Sequence, residues 1–445
     1  MAKIRREAMH GNFFDASVPQ AAHFSRYGRE RWPILAFQFA LFLSLFGINP
    51  GGAVGGDGSA LRQITWVGLL GLSLLGVTAG RGVLDQTVAV LARRKLSIAL
   101  VVIFALYALM SALWAEIPLV TFKRAALLCI VILICAAAAA AAQLQAVRMA
   151  ELVRTPLIAL LVLSLLFSAM LPHVAFTELG WQGITGQKNE MGQLSALFVL
   201  ALLVAPGWQD GRRKWLALGA ALGVVALGLS RSSTSVVALM AALGVLATYR
   251  FVHLGYRRPA WALCAYFGAV GLAMLAHGLF IFDALPAFDD VLREVLAVFG
   301  KSDTFTGRTH LWDLVMAQST YRSDIIGGGY GGFWDISFER VRYIISQLGF
   351  GPIQAHNGYL DIFNDLGLIG LVIAAMIVGT YVLSLFSSWG LERSDREFLL
   401  LMLVFIATSN LSESSLLRTT NFLNLVFLAS LFFLAARQPR QSQSA

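Results

Sequence analysis

The residue whose chemistry stands out first is His356. It opens the run His356-Asn357-Gly358-Tyr359-Leu360-Asp361-Ile362-Phe363-Asn364-Asp365-Leu366-Gly367-Leu368-Ile369-Gly370, which passes straight into an apolar stretch. His356, Tyr359, Leu360 and Phe363 share one face at helical spacing. An imidazole on the first turn of such a helix can accept a proton from a hydroxyl near neutral pH, with Asn357 or Asp361 as its orienting neighbour. The alternative is a structural histidine bonded to a loop carbonyl.

Cations come next. Thr306 can cap a helix that begins at Gly307-Arg308 and continues through Leu311, Trp312 and Val315. Arg308 then lies beside exposed backbone N–H groups, where anions bind; an arginine snorkelling to headgroups is the other reading. Lys188 opens an apolar stretch, Arg231 fills a very short turn in Ser230-Arg231-Ser232-Ser233-Thr234, and Lys123-Arg124 opens a further stretch. Charges so close to hydrocarbon usually face a cavity or a partner. Converging, they suit a diphosphate; singly, each also suits a lipid headgroup. Between Arg308 and His356 runs Ile326-Gly327-Gly328-Gly329-Tyr330-Gly331-Gly332-Phe333-Trp334. Its glycines let backbone approach a ligand closely, and Tyr330, Phe333 and Trp334 can stack on a sugar face. A flexible turn anchored by interfacial aromatics fits the same residues. No strand pattern precedes the run and no GK(S/T) follows it, so it is not a nucleotide fingerprint.

The elements that must position these residues are membrane helices. Hydrophobic residues make up 58% of the 445-residue chain and charged residues only 13%, about half the charged share of a soluble protein. About twelve stretches reach the roughly 20 apolar residues that span a bilayer, within a range of ten to fourteen. They centre near Phe39, Leu72, Ile103, Ile132, Leu163, Val199, Leu222, Leu239, Leu272, Ile373, Val404 and Phe427. The fold class expected is therefore an all-α polytopic membrane protein. Residues 1–31 read as an uncleaved cytoplasmic tail, 32–282 as transmembrane helices 1–9, 283–355 as one long periplasmic loop containing short helices, 356–436 as helices 10–12, and 437–445 as a cytoplasmic tail. Within the loop, Asp289 to Phe299 has the spacing of a helix lying on the membrane surface. The alanine run Ala136 to Ala142 reads as close helix packing. Cys129, Cys135 and Cys264 fall in apolar runs at no metal-type or disulfide spacing, so neither metal nor cofactor is expected.

Basic residues give the orientation. With the N-terminus inside, the inward segments carry Arg5 and Arg6, Arg93-Arg94-Lys95, Arg148 with Arg154, Arg212-Arg213-Lys214, Arg257-Arg258, Arg393 with Arg396, and Arg437. The outward short loops carry only Arg62, Lys123, Arg124, Lys188, Arg231 and Arg418. This follows the positive-inside rule. The net charge of +9 thus reflects topology and anionic lipid, with no sign of nucleic acid.

Taken in order, Gly307-Arg308 with Leu311-Trp312, the glycine-rich Gly327 to Trp334, and His356 to Leu360 running into Gly367-Leu368-Ile369-Gly370 resemble the signature of the O-antigen ligase and Wzy-type polysaccharide polymerase superfamily. The Lys188-Asn189 and Ser230-Arg231 patches are most similar to its exopolysaccharide polymerase (ExoQ-like) branch. The likeness covers roughly residues 180–380. It implies a metal-independent, inverting glycosyltransferase at the periplasmic face of the bacterial inner membrane. The donor would be a glycan on undecaprenyl diphosphate, held through Arg308, Arg231, Lys188 and Arg124. His356 would be the base, with Asn357 and Asp361 orienting it and Tyr330, Phe333, Trp334 and Tyr359 binding glycan. The acceptor would be another glycan or a lipid A core, and a flippase and a chain-length regulator would be natural partners.

Other classes fit less well. A transporter or flippase would show paired repeats and ionisable residues near the midplane. An intramembrane protease would carry HExxH or GxSxG, and neither occurs. Within the glycan reading, acidic residues outnumber basic ones in the long loop. That suits a polymerase better than a ligase, which must seat an anionic core.

Overall fold

The computed structural model describes residues 28–46, 60–79, 81–93, 95–206, 208, 211–254, 306–318, 323–335, 337–349, 351–388 and 391–436. The expected stretch at Leu272, the surface helix Asp289–Phe299 and the C-terminal tail lie outside the described residues, as do residues 1–27 of the N-terminal tail.

Helices dominate, and every other expected centre falls within one. They are α1 (Trp32–Leu45), α2 (Ala60–Ala79), α3 (Arg81–Arg93), α4 (Lys95–Met110), α5 (Pro118–Leu144), α6 (Met149–Met170), the short α7 (Pro172–Ala175), α8 (Lys188–Leu203), α9 (Arg213–Ser230) and α10 (Ser233–Leu254). After a gap in the description come α11 (Thr306–Met316), α12 (Glu339–Leu348), α13 (Gly358–Ser387), α14 (Arg393–Ser409) and α15 (Phe422–Ala436). Among the described residues six helices are long and apolar enough to cross a membrane, or up to seven if α2 and α3 form one broken span. This is a polytopic membrane chain, helical among the described residues apart from one short hairpin at residues 176–181. Several expected spans, including α1, α8, α14 and α15, are shorter than a full crossing.

The centre is α15, buried along its whole length, as expected of a helix apolar on every side. It packs on α5, whose alanine run Ala136–Ala142 is buried; small side chains let the two backbones approach. Large apolar side chains such as Leu35, Ile64, Leu106, Leu165 and Leu383 point outward, the side that hydrocarbon solvates.

Two polar layers close the bundle at opposite ends of α14. At its N-terminal end, buried Glu397 accepts from Arg250 of α10 at 3.1 and 2.6 Å and from Arg393 at 2.8 Å. Asp395 there accepts the N–H of Met149, the first residue of α6, at 3.1 Å, and Arg148 pairs with Glu392 at 2.9 Å. The other layer gathers the start of α8, the end of α9, the start of α13 and the loop between α14 and α15. It holds the chemistry singled out above.

Helix α13 is broken at Gly367, whose φ of 63° and ψ of −162° are not helical. From Leu368 to Ser387 it is 20 residues long and apolar, so the break separates a polar entry segment from a full membrane crossing. Breaking a helix frees backbone groups that hydrocarbon cannot satisfy. The glycine-rich segment meets them: Gly328 and Gly329 donate to the carbonyls of Asn364 and Asp365, and Leu368 and Ile369 donate to those of Asp324 and Ile325, all at 2.8–3.1 Å. A Cβ at Gly327 would lie 2.3 Å from the Asp365 carbonyl oxygen. The close approach expected of this run is therefore an approach to α13.

Candidate active site at the His356–Glu413 pair

His356 does not sit within the helix, as its spacing suggested, but immediately before it. Asn357 is the N-cap of α13, and its Oδ1 accepts from the N–H groups of Tyr359 and Leu360 at 3.1 and 3.2 Å. His356 is left at φ 50°, the left-handed region that non-glycine residues rarely adopt. Arg231, at the C-cap of α9, shares it with φ 53°. A short hairpin pairing Phe176 with Trp181 supports that turn, and the Glu178 carbonyl accepts from Arg231 Nη1 at 3.3 Å. Backbone strain of this kind clusters at working sites.

The loop after α14 is held just as firmly. Asn410 accepts the N–H of Gly358 on its carbonyl at 2.9 Å, and its Oδ1 accepts from Ser415 and Leu416 N–H at 3.0 and 2.9 Å. The loop so fixed delivers Glu413 to His356. Glu413 Oε2 lies 3.1 Å from His356 Nδ1 and accepts from Gln354 Nε2 at 3.2 Å. Oε1 accepts from Asn189 Nδ2 at 2.7 Å and from Arg308 Nη2 at 2.9 Å. Burial pushes the Glu413 carboxyl up, but the hydrogen bond and charge of His356, then Arg308, more than offset it and hold it below the usual range. An ionised carboxylate can only accept, so Nδ1 of His356 is the nitrogen that donates to it, with Gln354 Nε2 3.3 Å from the same atom; in a neutral imidazole that arrangement puts the lone pair on Nε2. Lys188 is within electrostatic reach of Arg308, Arg231 and Glu413. Arg308 and Lys188 thus stand about the carboxylate–imidazole pair, with Arg231 within electrostatic reach of Lys188.

The remaining residues are placed differently. Asp361 does not orient His356. It is buried and accepts from Trp334 Nε1 at 2.9 Å, Ala355 N–H at 3.2 Å, Arg418 Nη1 at 3.0 Å and the Ser414 hydroxyl. It therefore ties together the glycine-rich segment, the approach to His356 and the Glu413 loop. Asn357 is spent on capping. Neither is the histidine's partner, because the helix start turns both side chains toward backbone and Arg418. Phe333 is fully buried with Leu311, Leu314, Val315 and Ile344 and offers no ring face for stacking. Tyr330 is 5% exposed, its hydroxyl donating to the Leu417 carbonyl at 2.7 Å. Tyr359 is partly buried against the main core and donates to the Ala407 carbonyl at 3.2 Å. Arg124 donates to the Gly331 carbonyl, apart from the cations around Lys188.

A cavity of about 650 Å³ adjoins the pair. Glu413, Asp361, Trp334, Arg124 and Arg418 line it, whereas His356 and Arg308 connect to it through Glu413. Glu413 is the residue that sequence reasoning missed. Its signal was a lone acid in Ser412-Glu413-Ser414-Ser415, a short polar break between two apolar runs.

Comparison with known proteins bears on the same region. A sequence model described as O-antigen ligase matches residues 218–375, which include Arg231, Arg308 and His356. The chain is 26% identical over 211 residues to the exopolysaccharide production protein ExoQ of Rhizobium meliloti (strain 1021), covering 44% of this chain. The match spans 45% of that relative's length. By its apolar helices the chain is a multi-pass membrane protein, and over part of its length it is similar to O-antigen ligases and to ExoQ.

Proposed function

We propose that this chain transfers a glycan from undecaprenyl diphosphate to a sugar hydroxyl at the periplasmic face of the inner membrane, polymerising exopolysaccharide or O-antigen repeat units. The observation that carries the reading is the His356–Glu413 pair with Arg308 bonded to it and Lys188 in electrostatic reach. Nε2 of His356 takes the proton of the acceptor hydroxyl, and Glu413 stabilises the imidazolium that results. The acceptor oxygen forms its bond to the anomeric carbon as the bond to the diphosphate oxygen breaks, with inversion. Lys188, Arg231 and Arg308 neutralise the departing diphosphate, the part a metal ion would otherwise take. The cytoplasmic side is assigned to the Arg148, Arg250 and Arg393 layer, by the positive-inside rule.

A ligase that hands the glycan to a lipid A core is the second reading, favoured by the description of the matching family. Both use the same donor and the same base. Deleting the gene separates them. Loss of high-molecular-weight secreted polysaccharide with unchanged lipopolysaccharide supports the polymerase; intact polysaccharide with an undecorated core supports the ligase.

A further inference from the structure

The four cations expected at one diphosphate do not stand together, and the cavity explains what lies on the other side of the pair. Lys188, Arg231 and Arg308 are not among its lining residues. Its walls carry five carboxyl side chains, Glu190, Asp335, Asp361, Asp365 and Glu413, against two guanidinium groups, Arg124 and Arg418. Arg418 is paired with Asp361 at 3.0 Å and Arg308 with Glu413 at 2.9 Å; setting those pairs aside, the walls carry Glu190, Asp335 and Asp365 against Arg124, which donates to the Gly331 carbonyl. We infer that this cavity is an acceptor-sugar subsite that admits uncharged sugar residues and turns away uronate and phosphate-bearing ones. The inference rests on the transferase reading above and names the acceptor class for that site.

Volume, chemistry and position all bear on it. About 650 Å³ lies in the range of about 300–1,000 Å³ typical of sites for small organic ligands, with room for a short oligosaccharide. The amides of Gln187, Asn189 and Gln193 and the indole of Trp334 line it too. Amides and carboxylates match the paired donors and acceptors of sugar hydroxyls, and an indole matches the apolar face of the ring. A dissolved cation is a poor occupant, since among the described residues no three His, Cys, Asp or Glu side chains are grouped to hold one. The Asp335 carboxyl is held below its usual range, first by hydrogen bonds from Ser337, so it meets a ligand as an anion. Glu413 belongs to both compartments, lining the cavity while bonded to Arg308 and His356. A sugar in the cavity is thus next to the base, with the donor cations beyond it.

The test uses the full chain purified in detergent at low ionic strength, with tritium-labelled cellotetraose and tetragalacturonate as probes in equilibrium dialysis. The neutral probe should bind at least about tenfold more tightly, the scale of one modest charge repulsion. In the double variant Asp335→Asn, Glu190→Gln that ratio should collapse toward unity. Equal binding of both probes, tighter binding of the uronate, or binding of neither overturns the inference. A parallel turnover arm measures consumption of lipid-linked donor. Selective sugar binding with no donor consumption leaves the subsite standing and removes the transferase reading. Donor consumption with indifference to acceptor charge does the reverse.

Discussion

Replacing Glu413 by glutamine changes one atom and tests how His356 is held. Oε1 accepts from Asn189 at 2.7 Å and Arg308 at 2.9 Å. An amide nitrogen there would face two donors, so in Glu413→Gln the carbonyl oxygen keeps that side. The amide nitrogen then takes the place of Oε2, 3.1 Å from His356 Nδ1 and 3.2 Å from Gln354 Nε2; with the Gln354 amide turned over to present its oxygen, it donates to both. The ring must carry its proton on Nε2 and no longer offers a lone pair to the acceptor hydroxyl. Loss of general-base assistance costs about 10²–10⁴ in rate, with little change in donor KM. The charge-assisted bond from Arg308 also weakens; with Arg308 partly open to solvent the stability loss is about 1–2 kcal/mol. Acid stability gives a second readout. Because the folded carboxyl titrates below its unfolded value of about 4.3, its contribution is present above that value and lost as pH falls through the folded one. The variant should lack that part of the acid limb. Measuring transfer rates with lipid-linked donor decides the matter: turnover close to that of the natural chain in a folded Glu413→Gln protein would refute the reasoning.

Other perturbations separate the parts of the account. His356→Ala should remove transfer while leaving protein level and membrane insertion intact. Arg308→Lys should rescue poorly, because an ammonium cannot make a guanidinium's forked contacts; full activity would reduce Arg308 to a headgroup anchor. Gly327→Ala places a Cβ 2.3 Å from the Asp365 carbonyl oxygen at φ 75° and should cost about 3–5 kcal/mol, seen as lost expression. Gly349→Ala, also at positive φ but with nothing within 4 Å, should cost only about 1–2 kcal/mol. For topology, a cysteine at Ser346 should react with an impermeant reagent in intact cells and one at Arg213 should not; the opposite pattern inverts the assigned sides.

The helical membrane architecture was legible because lipid demands continuous apolar runs, and those runs became helices wherever the chain is described. His356, Arg308, Lys188 and Arg231 were legible because ionisable residues beside hydrocarbon are rare. Their shared partner was not. Glu413 lies 57 residues from His356 and 105 from Arg308, and only the packing of α14 against its neighbours brings them together. Proximity in sequence pointed instead to Asp361, which the start of α13 turns toward Arg418 and Trp334. The glycine run was read as approaching a ligand; Gly327 to Gly329 approach α13 instead, and sequence cannot say whether a ligand or a helix comes close. Likewise Phe333 beside a glycine looks the same whether it faces a sugar or, as here, a small core of Leu311, Val315 and Ile344.

The central claim, transfer of a lipid-linked glycan by the His356–Glu413 pair, is tested most directly by reconstitution. The purified chain in liposomes is given a defined undecaprenyl-diphosphate oligosaccharide, and product length and released undecaprenyl diphosphate are followed together. The account predicts lengthened glycan, one lipid diphosphate released per bond formed, inverted anomeric configuration at each new linkage, and none of these with His356→Ala. Lengthening that persists in His356→Ala, or movement of the lipid-linked glycan across the membrane with no new glycosidic bond, would contradict it.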